Sequence, residues 1–125
     1  MTRFSLAFAV LAFGLAACAP QQPKIPFERI ATKDAYLALV AGKEVHGESG
    51  FAVSSPDGTL TGTFAGGFTG SWEWQDEFWC RTITAPPSIA GSDCQLLEIS
   101  GDQVRVTRDR GEGDTIVLTI KDRST

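Results

Sequence analysis

The chain has 125 residues, 42% of them hydrophobic, with 15 acidic against 11 basic side chains and a net charge of −4. That length supports one domain with one modest core. An acidic chain without a basic stripe excludes nucleic acid as a partner, because such binding rests on neutralising phosphates with Lys and Arg.

The opening MTRFSLAFAVLAFGLAAC sets Arg3 ahead of an apolar run from Phe4 to Leu15 and closes on small residues. This is the layout of a secretory signal, and the run is too short to span a bilayer, which takes about 20 residues. Leu15-Ala16-Ala17-Cys18 resembles the lipobox of bacterial lipoproteins. The resemblance implies cleavage before Cys18, a diacylglycerol on its thiol and usually an acyl chain on the new amino terminus. One chain alone gives reversible attachment, whereas two or three hold durably. A plain secreted protein with an incidental Cys18 is the alternative. Ala19 stands where an aspartate would retain the protein at the inner membrane. The expected address is therefore the periplasm-facing side of the cell envelope, at the outer rather than the inner membrane. The expected divisions are a lipoprotein-type signal over 1–17, a lipid-attached tether over 18–30 and a single β-rich domain over 31–125. Without its first 17 residues the chain keeps 108 residues and a net charge of −5, so lipid and not charge must hold it to a membrane.

With Cys18 lipidated, Cys80 and Cys94 remain as an even pair in an oxidising compartment, and a disulfide is expected between them. Closing a loop of about 15 residues contributes roughly 3 kcal/mol in the chain-entropy model. A metal pair would lack partners, since His46 is the only histidine.

Along the mature chain, APQQPKIPFERI (19–30) reads as an extended tether. TKDAYLALVAGK follows, with Thr32 as N-cap, Asp34 in the first turn and Gly42 as the stop, for one helix of about ten residues. Tyr36, Leu39 and Val40 fall on one stripe. Everything after Gly42 reads as strands and turns. In FAVSSPDGTLTGTF the Pro56-Asp57-Gly58 turn is expected to set Val53 opposite Leu60, with Phe51 on their side. The glycines of GTFAGGFTG (62–70) lack a phosphate-cradle spacing and read as bends at barrel corners.

GSWEWQDEFWCR (70–81) holds all three tryptophans. With Gln75-Asp76-Glu77 as the turn, Trp74 pairs with Phe78 and Trp72 with Cys80 on the inward face. The outward face then carries Ser71, Glu73, Trp79 and Arg81. Trp79 and Arg81 form the best candidate binding pair, a possible cation–π couple of the residue types that dominate hot spots. The competing reading, which is preferred, covers Trp79 with the helix stripe and pairs Arg81 diagonally with Glu73. In LLEISGDQVRV a two-residue Gly101-Asp102 turn pairs Ile99 with Val104 and Leu97 with Val106 on one face, and Glu98 with Arg105 on the other. Cys94 then has the parity of outward Glu98 while Cys80 has that of inward Trp72. A bulge near Ser92–Cys94, or a bridge at the barrel rim, is expected to reconcile them. DRGEGD (109–114) lacks the ligand alternation of a calcium loop and reads as a turn. A last strand, DTIVLTIK, puts Ile116, Leu118 and Ile120 on one side.

The expected fold is mainly β: an antiparallel barrel of about eight strands, or a strongly curved sheet, with one short N-terminal helix. Glu73, Asp76, Glu77 and Asp93 are candidate carboxylates for acid–base hydrolysis, but three of them sit on or beside a turn, where acids are usually only solvated. His46 has no nucleophile motif nearby.

The run W-x-W-x-D-x-F-x-C-R at Trp72–Arg81, with D-C-Q at Asp93–Gln95 and V-x-V-x-R-D-x-G at Val104–Gly111, is similar to a group of small bacterial envelope lipoproteins. The similarity covers roughly residues 30–120, and some members carry the name dihydrodipicolinate reductase. That chemistry needs a nicotinamide cofactor on a βαβ unit with its glycine fingerprint, which this sequence lacks, so no cofactor is expected. The expected function is a non-catalytic binding or envelope-structural module, with a membrane reached through the lipid. The binding partner is either a small ligand in a calycin-like barrel lined by Trp72, Trp74 and Phe78, or an envelope protein met by Trp79 and Arg81 outside. An enzyme stands as the third reading. A filled interior would remove the small-ligand version.

Overall fold

In the computed structural model, which describes Gly14 and residues 25–123, the period-two stretches after Gly42 become eight antiparallel strands. They are β2 (Glu44–Gly47), β3 (Gly50–Ser54), β4 (Thr59–Gly62), β5 (Phe68–Gln75), β6 (Phe78–Ala85), β7 (Gly91–Ser100), β8 (Gln103–Thr107) and β9 (Thr115–Lys121). Each pairs with the next, and β9 returns to β2 through Val45↔Ile120. The sheet is thus a closed barrel without free edges. A two-residue strand, β1 (Glu28–Arg29), adds itself to β7 opposite Ile99 and Glu98. The expected signal over 1–17, Gly14 apart, and Cys18 with the tether as far as residue 24 lie outside the described residues.

Helix α1 (Lys33–Leu39) starts as expected. Thr32 is the N-cap, its Oγ1 accepting from the Ala35 N–H at 3.1 Å, and Asp34 lies in the first turn. The helix is 7 residues long, shorter than expected, with Val40 as its C-cap. Gly42 turns the chain at φ +80° and donates its N–H to the Ser54 carbonyl at 2.8 Å. Tyr36 and Val40, one helical turn apart, point into the core, while Leu39 stays 39% exposed on the flank. The three-residue stripe therefore contributes two side chains.

Chain order sorts the connections to two ends. Helix α1 and the turns 55–58, 76–77 and 101–102 share one end, and the loops 48–49, 63–67, 86–90 and 108–114 share the other. The Gly101-Asp102 hairpin has the expected register, with Leu97↔Val106, Glu98↔Arg105 and Ile99↔Val104. The other two hairpins differ by one residue, which reverses faces. Ser55 donates to the Thr59 carbonyl and Gly58 to the Ser55 carbonyl, so Ser54 meets Leu60 and Val53 meets Thr61. Ser54 and Leu60 thus face inward, and Val53 and Phe51 take the outer side. In the tryptophan hairpin the turn is two residues long, with Asp76 at φ +54°. Gln75 then pairs with Phe78, Trp74 with Trp79, Glu73 with Cys80 and Trp72 with Arg81.

This register corrects the outward placement of Trp79 and Arg81: all three tryptophans and Arg81 lie on one inward face, with Trp79 only 9% exposed. It also removes the parity conflict of the cysteines. Cys80 and Cys94 are direct cross-strand partners on the outer face and form a disulfide. No bulge is needed at Ser92–Cys94, where the β6–β7 ladder runs unbroken. The bulge sits instead between Thr69 and Gly70, opposite Thr84. Gly70 is required there, because a Cβ would collide with the Thr82 carbonyl oxygen of the adjacent strand.

Candidate functional site

The helix end is plugged. Tyr36 descends from α1 into a cage of indoles, with ring centroids 4.9 Å from Trp72, 5.7 Å from Trp74 and 6.1 Å from Trp79. Its hydroxyl donates to Ser54 Oγ at 2.7 Å, in a buried pair. Burial pushes the Tyr36 phenol well above its ordinary range, and the Ser54 hydrogen bond offsets only part of that rise. The Trp72 indole N–H donates to the Ser55 carbonyl at 2.8 Å. Among the described residues, the buried N–H groups of Trp74 and Trp79 have no hydrogen-bond partner.

Below this plug the barrel is not filled. A cavity of about 560 Å³ runs from Tyr36 and Val40 to the loops of the other end, reaching Ser49, Phe64, Ile89 and Ile116. Its walls are chiefly Leu, Val, Ile and Phe side chains, with Trp79 among them. Neither Trp72, Trp74 nor Phe78 lines it, which corrects the expected lining. Trp72 and Trp74 are taken up in the Tyr36 plug, and Phe78 lies beneath the guanidinium groups of Arg29 and Arg110 at 5.2 and 5.3 Å. The volume falls within the range of about 300–1,000 Å³ typical of ligand sites, as does an apolar wall with few polar groups.

The charged groups of the wall reach the open end. Arg81 on β6 projects into the cavity between Trp79 and Ile83, and Arg108 continues the inward row of Val104 and Val106. These two arginines are the only charged side chains that line the cavity among the described residues. With Ile89 they also border a second recess of about 430 Å³ that includes Asp93 and Asp109. Asp93 is the register partner of Arg81. Its carboxylate, however, accepts from Gln95 Nε2 at 2.9 Å and from the Asp109 backbone N–H at 3.1 Å. Burial draws the Arg81 guanidinium below its ordinary value; Asp93 opposes this and Arg108 adds to it. Arg81 does not pair with Glu73, which is on the outer face.

The other sequence candidates lie outside the barrel. His46 stacks on Phe51 at 5.0 Å and meets Glu44 at 2.8 Å on the outer face of β2. Glu73, Asp76 and Glu77 are exposed on or beside the tryptophan hairpin turn. Among the described residues no group of three His, Cys, Asp or Glu side chains is placed to hold a metal, and no helix is long and apolar enough to cross a membrane. Residues 109–114 form the β8–β9 loop, as the glycine-rich reading expected. Arg108 and Gln95 were missed by sequence reasoning, although the parity of Val104 and Val106, and of Leu97, carried their inward placement.

The fold and site define a closed eight-stranded antiparallel barrel with a hollow, largely apolar interior. Comparison with known proteins finds no family model, no curated protein and no solved structure that matches the chain.

Proposed function

We propose that the protein is a lipid-anchored binding module of the bacterial envelope that holds a small, largely apolar ligand inside its barrel. The cavity carries this reading. An eight-stranded barrel has an interior just large enough for side chains or for one small ligand, and here the side chains leave about 560 Å³. The lipobox resemblance at Leu15–Cys18 supports the anchor, and the disulfide suits an oxidising compartment. The catalytic reading gains no support from the acids, because among the described residues no carboxylate lines the cavity.

The test uses the full-length chain with Cys18→Ser, which has no thiol to carry a lipid. Titration with the neutral fluorophore N-phenyl-1-naphthylamine should give saturable binding with energy transfer from tryptophan. Val106→Trp, which adds bulk to the wall, should abolish it. Equal binding by both chains would place the probe outside the barrel and end the reading.

A further inference from the structure

The polarity of the cavity narrows the chemistry of its occupant. We propose that the ligand is an amphipathic organic anion, with its tail in the barrel and its carboxylate or phosphate head at Arg81 and Arg108. This rests on the ligand-binding reading above and adds the ligand's class.

Three observations point the same way. The cavity wall is chiefly Leu, Val, Ile and Phe side chains, with Ser49, Ser54 and Gln95 among its neutral polar groups, so an inserted tail would gain apolar contact along it. The charged side chains on its wall are both cationic, and both also border the recess formed with Ile89, Ala90 and Asp109 of the open-end loops, where a polar head would remain. Finally, neither guanidinium is satisfied internally. Among the described residues no hydrogen bond or ion pair engages the side chain of Arg81 or Arg108. The acids that face them are Asp93 and Asp109 in the adjoining recess. Asp93 Oδ1 and Oδ2 are already turned to the Asp109 N–H and to Gln95. Glu98 is paired with Arg105 on the outer face.

Arg81 is half-buried, and an unpaired cation there is costly, whereas Arg108 is exposed at the rim. Arg offers a planar fork that matches a carboxylate or phosphate with two parallel hydrogen bonds. Two such forks near each other also repel, and an anion between them relieves that repulsion. A neutral ligand would leave both effects in place. A cationic one would worsen them.

The experiment displaces N-phenyl-1-naphthylamine from the full-length Cys18→Ser chain with single-chain amphiphiles at submicellar concentration. Dodecanoate, dodecyl phosphate, dodecanol and dodecylamine share one tail and differ only in the head. Dodecanoate or dodecyl phosphate should displace the probe at least about tenfold more effectively than dodecanol, the scale of a charge-assisted hydrogen bond. Dodecylamine should be the weakest. Whichever anion is stronger identifies the head. Arg81→Gln and Arg108→Gln should each narrow the acid-to-alcohol ratio, taken within the same variant, to about threefold or less. If dodecanol matches both anions on the unsubstituted arginines, the anionic head is wrong and the apolar cavity reading stands. If the neutral probe itself does not bind, the ligand-binding reading falls first. The comparison among amphiphiles needs no arginine variant, so a misfolded variant does not protect the proposal.

Discussion

The two ends of the barrel follow opposite rules. At the helix end the connections are tight, two of them only two residues long, and the interior is occupied by Tyr36 and its tryptophans. At the open end three of the four loops are longer and each of those contains a 3₁₀ turn, and the interior is hollow between largely apolar walls. Backbone conformation divides the same way. Among the described residues four non-glycine residues have positive φ; Asp76 serves a hairpin turn at the helix end, and Ala65, Asp109 and Arg110 all lie in open-end loops. For an alanine that conformation costs about 1–2 kcal/mol, and such outliers gather where structure serves binding rather than stability. The helix end makes the barrel a single folded state, and the open end draws on that stability to keep a hollow and two unpaired arginines.

Substitutions should separate the ends, and the largest effect belongs to the plug. Trp72→Ala removes a ring that is 5% exposed and in contact with Tyr36; it should cost about 3–5 kcal/mol in urea unfolding. Next comes the outer-face belt between the ends. Replacing Cys80 and Cys94 together with serine, or reducing their disulfide, should cost about 3 kcal/mol, read as a lower midpoint at unchanged cavity binding. Tyr36→Phe leaves the buried Ser54 hydroxyl without its donor and should cost about 1–3 kcal/mol. Arg81→Gln, at the other end, should change stability by no more than about 0.5 kcal/mol, since no internal partner is lost. If Arg81→Gln destabilised as much as Tyr36→Phe, the division of labour between the ends would be wrong.

The same division explains what the sequence made legible. Strand number, the helix and its Thr32 cap, and the Gly101-Asp102 register were all open to reading, because period-two alternation and a two-residue glycine turn each admit one solution. The disulfide was legible from cysteine arithmetic. The face of Trp79 was not, and the reason is one residue of turn length. Gln75-Asp76-Glu77 contains no glycine, and either a two- or a three-residue loop leaves an apolar row on one face. What decides is that the two-residue turn brings Trp74 opposite Trp79 and both cysteines to the outside, a choice visible only when the two hairpins are considered together. The hollow was illegible for a different reason. A cavity is a shortfall of side-chain volume across eight strands, and no local pattern records it.

The smallest effect tests whether the outer face takes part in either end. Glu98 and Arg105 form a two-pronged pair there, at 3.0 and 2.8 Å, on the register that the sequence supplied. The Arg105 hydrogen bonds hold the Glu98 carboxyl below its ordinary value of 4.5, against a weaker opposing push from desolvation, and Arg29 adds a minor pull. A folded-state pKa below the unfolded one gives stability that is fully present above pH 4.5 and is lost as pH falls through the folded value. Glu98→Gln removes that dependence. The substituted chain should therefore melt slightly below the parent at pH 7, and the gap should close as the pH falls below 4.5 in thermal unfolding followed by circular dichroism. Because the pair is solvent-accessible, added salt should shrink the gap at pH 7 as well. Binding of the neutral probe should be the same for both chains at pH 7, since neither Glu98 nor Arg105 reaches the cavity wall. A gap that persisted at low pH would mean that Glu98 acts through packing, and the outer face would then belong with the helix end as part of what holds the barrel shut.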